Sequence, residues 1–138
     1  MSQHPYDQDY WPPFPTIEII IANPFDDQAT DPLPAKVDTG ADMTVIPRRL
    51  AAKLGLTPFS HVLVQGFRGQ PEVMRTYPAD VNVNDYIVEF VELILNETEN
   101  ELLLGRDVLN ELVLVLNGPA SVIEVVQNRP ERSDSHAN

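Results

Sequence analysis

The chain has 138 residues, a net charge of −12 and no cysteine. That length suits one domain, able to bury roughly two-thirds of the surface its unfolded chain exposes. The charge argues against nucleic-acid binding through clustered Lys and Arg, and the missing cysteine excludes disulfides and thiolate chemistry.

Residues 1–15 are polar, aromatic and rich in proline, and read as a disordered or loosely docked N-terminal arm. Tyr10, Trp11 and Phe14 are able to dock on the domain or on a partner. Thr16–Ala22 carries Ile17, Ile19, Ile20 and Ile21, a β-branched density that predicts a strand buried on both faces. A loop rich in acids and prolines follows over residues 23–32. Leu33–Val37 predicts a second strand, with Lys36 on its outer face. It runs into Asp38-Thr39-Gly40-Ala41-Asp42, where an acid is followed by small residues. These let the backbone turn sharply and leave the Asp38 carboxylate uncovered, although Asp and Gly are also frequent in ordinary β-turns. Residues 44–46 read as a short strand. Pro47 suits the first turn of a helix, Arg48–Leu54 two helical turns with Leu50 and Leu54 on one face, and Gly55 the left-handed residue that ends it.

Residues 61–65 alternate apolar and polar, Gly66, Phe67, Arg68 and Gly69 follow, and residues 72–77 are extended again. This is a hairpin pattern with glycines at the bend. Residues 79–83 and 86–95 read as strands joined through Asn84 and Asp85. Residues 96–101 form an acidic loop, 102–104 a buried strand, 106–111 a short helix, and 112–116 and 121–126 the last strands. The polar tail 128–138 is expected to be disordered. Together the elements make an all-β domain over residues 16–127 with two short helices.

The N-terminus shows neither a basic segment nor an apolar run, so no secretory signal is expected. No apolar stretch approaches the length of a membrane span, and no membrane partner is expected. A chain without cysteine suits a reducing cytoplasm. His4, His61 and His136 are scattered, and Glu97, Glu99 and Glu101 lack a glycine-punctuated calcium loop. No metal and no cofactor are therefore expected.

Two segments carry a resemblance. One is Val37-Asp38-Thr39-Gly40-Ala41-Asp42-Met43-Thr44-Val45-Ile46-Pro47. The other is Leu102-Leu103-Leu104-Gly105-Arg106-Asp107-Val108-Leu109. In this order and at this spacing the chain resembles the retropepsins, the single-lobed aspartic proteases of retroviruses, retrotransposons and some bacteria. The likeness covers about residues 16–126, and Lys36 departs from the apolar run usual before the acid. It implies a small closed acid-protease barrel, one lobe per chain, with the hairpin around Gly66–Gly69 as a flap over the substrate; an ordinary surface hairpin has the same pattern.

The resemblance also implies roles. Asp38, Thr39 and Gly40 would be the catalytic residues: the acid, a hydroxyl that bonds the partner's backbone across a two-fold axis, and a carbonyl that receives substrate amides. Ala41, Asp42, Gly66, Phe67, Arg68 and Gly69 would contact substrate. Arg106 would pair with Asp42 and hold the loop against the second helix; otherwise it reads as a surface arginine at a helix end. Were that pair partly buried, losing Arg106 would cost about 3–5 kcal/mol.

A single carboxylate cannot both activate water and polarise the scissile carbonyl. The chain has one Asp-Thr-Gly and no room for a second lobe. The second Asp38 must come from a second copy, so a homodimer is required for activity. Two carboxylates that close share a proton. The expected function is an aspartic endopeptidase acting on a peptide or protein substrate. The alternative is a non-catalytic retropepsin-like module that dimerises or binds peptides.

Overall fold

The structure is a computed structural model that describes residues 2–65, 69–97 and 100–126. Among these, the strands are β1 (Ser2–Pro5), β2 (Thr16–Ala22), β3 (Leu33–Val37), β4 (Val45–Pro47), β5 (Ser60–Gln65), β6 (Pro71–Val83), β7 (Tyr86–Asn96), β8 (Leu103–Leu104), β9 (Val113–Asn117) and β10 (Val122–Val126). Two short helices join them, α1 (Arg48–Leu54) and α2 (Arg106–Leu109). The all-β expectation is met. The main sheet runs β2-β3-β8-β4-β7-β6-β5, and β2 also pairs with β6. That extra pairing closes six of the strands into a barrel and leaves β5 projecting as one arm of a hairpin. No helix of the described residues is long and apolar enough to cross a membrane.

The barrel interior is filled by β-branched and leucine side chains. Ile17, Ile19 and Ile21 of β2 are buried against Ile46, Val81, Val83, Leu93 and Leu104. Burial on both faces of β2 was expected, but Glu18 is exposed and Ile20 is only half-buried, so β2 alternates like a strand with one wet face. In α1, Ala51 and Leu54 turn inward and Leu50 packs at the edge of the core. Gly55 takes the left-handed conformation, with φ of 68°, that a Cβ would strain. Pro47 stands just before the helix as its N-cap rather than in its first turn.

Residues 72–77 and 79–83, expected as separate strands, lie on one strand. β6 runs unbroken for 13 residues, with a register shift against β7 between Ala79 and Val81. Pro78 sits beside that irregularity, where a missing N–H is tolerated. Asn84 and Asp85 turn the chain with φ of 50° and 68°, the left-handed pair that matches the twist of a tight hairpin.

The N-terminal segment holds a strand that the sequence did not announce. Ser2–Pro5, expected within a disordered or loosely docked arm, lies antiparallel along β10 in a second sheet ordered β1-β10-β9. Ile123 and Val125 of β10 are buried and need a neighbour on that side. His4 anchors β1 from the other direction: its Nδ1 accepts the Glu18 N–H at 3.1 Å. Burial lowers the His4 pKa below the ordinary 6.5, against the nearby charge of Glu18, which favours the neutral ring able to accept that bond. β9 pairs with β10 alone among the described residues and leaves Val113, Val115 and Leu116 exposed along the free edge. The tail 128–138 lies outside the described residues.

Candidate active site

β3 ends with Val37 in the core and hands the chain to the turn that carries Asp38. Three bonds shape that turn. The Asp38 N–H donates to the Leu104 carbonyl at 3.1 Å, the Ala41 N–H to the Asp38 carbonyl at 3.2 Å, and the Gly40 N–H to the Asp38 carboxylate at 2.9 Å. Asp38 is half-exposed, and Thr39 and Gly40 lie at the surface. A Cβ on Gly40 would stand 3.2 Å from Asp38 Oδ1, so the missing side chain keeps the acid clear.

The second segment grips the turn from behind. The Arg106 N–H donates to the Ala41 carbonyl at 2.9 Å. Its guanidinium donates to the Thr39 carbonyl at 2.6 Å and pairs with Asp42. Asp107, which sequence reasoning passed over, makes the deeper connection. Its carboxylate accepts the Thr44 N–H at 3.0 Å and the Thr44 hydroxyl at 2.7 Å. The same hydroxyl accepts the Gly105 N–H at 3.1 Å. Thr44 is fully buried, so each polar atom there needs this partner. In sequence, Asp107 looks like any acid in the first turn of a short helix, and nothing local distinguishes it.

The Arg106–Asp42 pair is where the geometry departs from expectation. Its side chains are 43 % and 83 % exposed, so the pair lies in solvent rather than partly buried. An exposed ion pair contributes little, and the bond to the Thr39 carbonyl is the firmer of the two contacts. Arg106→Ala is therefore expected to cost about 1–2 kcal/mol, not 3–5. Urea unfolding measures this; an unchanged midpoint would mean that the guanidinium contacts add no net stability.

In front of Asp38 lies an open cleft of about 680 Å³. Asp38, Gly40, Ala41 and Asp42 form its floor, joined by Met43. Val62, Leu63 and Val64 of β5 form one wall, and Ile94 of β7 closes the end. Leu63 is 66 % exposed although apolar, as suits a surface that waits for an apolar ligand. Sequence reasoning placed none of these wall residues, because they come from strands far apart in the chain. Of the expected hairpin residues, Gly66, Phe67 and Arg68 lie outside the described residues. Gly69 has φ of 74°, and its carbonyl accepts the Gln65 side-chain amide at 3.0 Å at the neck of the hairpin. Among the described residues no cluster of His, Asp or Glu is suited to a metal.

The arrangement is an acid at the floor of an apolar-walled cleft, held by backbone bonds within its own turn and from the distant segment of Leu104 and Arg106. Residues 29–111 match the family model described as "gag-polyprotein putative aspartyl protease". No curated protein matches the chain in sequence. Among solved structures it is similar to the EIAV protease complexed with the inhibitor HBY-793, at 22 % identity and a TM-score of 0.55 over 71 % of this chain and 86 % of that one. It is similar to a retropepsin-like aspartic protease from Rickettsia conorii, at 14 % identity and a TM-score of 0.53 over 91 % and 99 %. It is also similar to the retroviral protease-like domain of Ddi1 from Leishmania major, at 15 % identity and a TM-score of 0.50 over 86 % and 97 %. The structural likenesses speak for the fold. The family match covers more than half of the chain, including both the Asp38 turn and the Gly105-Arg106 segment behind it. The chain belongs to the retropepsin-like aspartic proteases.

Proposed function

We propose that the protein is an aspartic endopeptidase active only as a homodimer, with Asp38 of each copy sharing one site. The observation that carries the reading is the placement of Asp38: half-exposed, fixed by backbone, at the floor of an open, apolar-walled cleft of about 680 Å³. A lone acid there lacks the partner that peptide hydrolysis requires. In the dimer one carboxylate takes the proton of the attacking water while the other, protonated, hydrogen-bonds the scissile carbonyl. Thr39 and Gly40 lie beside Asp38 at the surface, where a second copy and a substrate backbone would meet them. Ala41, Asp42 and the hairpin residues Gly66, Phe67, Arg68 and Gly69 are proposed to line the bound peptide. The exposed edge of β9 supports a second copy as the partner: a sheet edge with Val113, Val115 and Leu116 uncovered is suited to pairing with itself about a two-fold axis. The cytoplasm is the proposed compartment, which a chain without cysteine suits.

The test is poisoning by an inactive copy. Mix wild type with an equal amount of Asp38→Asn chains and allow full exchange. If pairing is random, about half of the wild-type chains end in mixed dimers with one carboxylate each. Activity should fall to about half that of the same wild-type amount alone, at concentrations where dimers dominate. Activity that stays proportional to wild-type chains after proven exchange would mean that each chain carries a complete site. A folded dimer that binds peptides in the cleft without cleaving any would favour the non-catalytic module.

A further inference from the structure

Two residues before Asp38, on the strand that delivers it, Lys36 occupies a closed box. Its side chain is only 12 % exposed. The ammonium stands 3.9 Å from the ring centre of Tyr10 and 4.8 Å from that of Phe14, and it pairs with the Glu101 carboxylate. The Tyr10 hydroxyl donates to the same carboxylate at 3.0 Å, and the Tyr10 and Phe14 rings meet edge to face at 5.7 Å. The backbone closes the box. The Lys36 N–H donates to the Leu102 carbonyl at 2.9 Å and the Val37 N–H to the Pro15 carbonyl at 3.0 Å.

Taking an ammonium out of water is costly, and here the lost hydration is replaced by one carboxylate and two ring faces. Burial opposes the charged form of Lys36. The hydrogen bonds to Glu101 and Tyr10, and their charge, outweigh it and hold the amine above its ordinary 10.5. The charge therefore persists at any pH at which a carboxyl pair works.

The box ties together three stretches that lie apart in sequence. One is the arm through Tyr10, Phe14 and Pro15. The second is β3, which ends one residue before Asp38. The third is the run from Glu101 to Leu104, which leads straight into Gly105 and Arg106. The spacing of the last two decides whether the Asp38 N–H meets the Leu104 carbonyl and whether the Arg106 guanidinium meets the Thr39 carbonyl. We infer that Lys36 is a positioning residue for the reaction, its ammonium clamping the arm and the 101–104 run onto β3 so that the Asp38 turn is held for catalysis. This rests on the peptidase reading above. It assigns a task to the N-terminal arm as well, since two walls of the box are arm side chains.

A role in positioning separates from a role in stability by what it changes. The cleft walls come from β5 and β7, which Lys36 does not touch, so substrate binding should be spared. Lys36→Met keeps the stem and removes the charge. At a temperature well below its melting point, kcat should fall about tenfold while KM stays within about twofold, since small misplacements of a catalytic group act on turnover. Lys36→Arg should recover most of the loss, because it restores a cation over the rings. Tyr10→Leu should lower kcat in the same direction, and combined with Lys36→Met should add little, as members of one unit do.

Hydrogen exchange supplies a readout independent of activity. The amides of Asp38 and Ala41 should exchange about tenfold faster in Lys36→Met if the clamp is lost. An unchanged kcat in folded Lys36→Met, or a loss confined to KM, overturns the inference. If wild type cleaves no peptide, the peptidase reading fails by itself, and the exchange rates alone decide whether Lys36 holds the turn. If Lys36→Met does not fold, Tyr10→Leu carries the test, and unchanged kcat in it overturns the inference.

Discussion

Replacing Asp38 with asparagine is expected to lower peptide turnover about a thousandfold or more while the folded dimer persists. The two halves of that result have separate causes. Asparagine has nearly the shape of aspartate, and its amide oxygen still accepts the Gly40 N–H that Asp38 Oδ1 now receives at 2.9 Å. The Asp38 N–H and carbonyl, which bond Leu104 and Ala41, are untouched by the change. Local structure therefore has little reason to shift. On the proposed mechanism chemistry has every reason to stop: both members of the carboxyl pair become amides, which neither take a proton from water nor give one to a departing amine. A fluorogenic peptide library, cleaved by wild type and offered to the purified variant at equal concentration, gives the rate ratio. Thermal unfolding of the same samples gives the structural control. Cleavage by the variant near the wild-type rate, with the melting transition intact, would remove Asp38 from the mechanism.

The second large effect is structural. Gly105→Ala is expected to destabilise the fold by about 3 kcal/mol or more. The backbone of Gly105, at φ −91° and ψ −177°, is one any residue adopts, so the reason is space and not conformation. A Cβ at that position would lie 2.5 Å from the carbonyl carbon and oxygen of Met43 and 2.9 Å from its nitrogen. These are main-chain atoms of the turn that follows Asp38, and they cannot swing aside as a side-chain tip would. Relief requires the turn and α2 to part, which strains the Gly105 N–H bond to the buried Thr44 hydroxyl and the Asp107 bonds beyond it. Urea unfolding reads the loss, and specific activity per folded chain should fall with it. A soluble variant with a wild-type midpoint would show that the turn yields freely.

What the sequence made legible, and what it did not, follows from distance along the chain. α1 was readable because its signals are adjacent: a proline at its start, expected in the first turn and found one residue before it, leucines on one face, and a glycine that accepts positive φ after it. The Asp38 turn and the Gly105-Arg106 segment were readable because each is a compact motif. β1 was not, since its neighbour β10 lies about 120 residues away and a proline-rich arm offers no period of its own; the Gln3–Glu124 bond spans 121 positions. Lys36 was placed on an outer face, yet the arm and Glu101 cover it, and no window around residue 36 contains them. Asp42 and Arg106 were paired correctly, but the solvent around them is a property of the surface and not of either motif. Asp107 shows the opposite failure: its neighbours gave an ordinary helix start, and only a fold that buries Thr44 beside it gives its carboxylate work.

The central place of β8 has a consequence for the order of events at birth. Leu103 and Leu104 lie between β3 and β4, and the bonds from Arg106 and Asp107 to the Asp38 turn join residues 63 to 67 positions apart. While a ribosome is still making the second half of the chain, the residues around Asp38 exist but lack these long-range bonds. Contacts of such long range close late and slowly. A nascent chain thus lacks the long-range bonds to its acid loop for most of its synthesis. On the proposed reading, no hydrolytic site can form in the cell before translation has run past Asp107 and two finished chains have met.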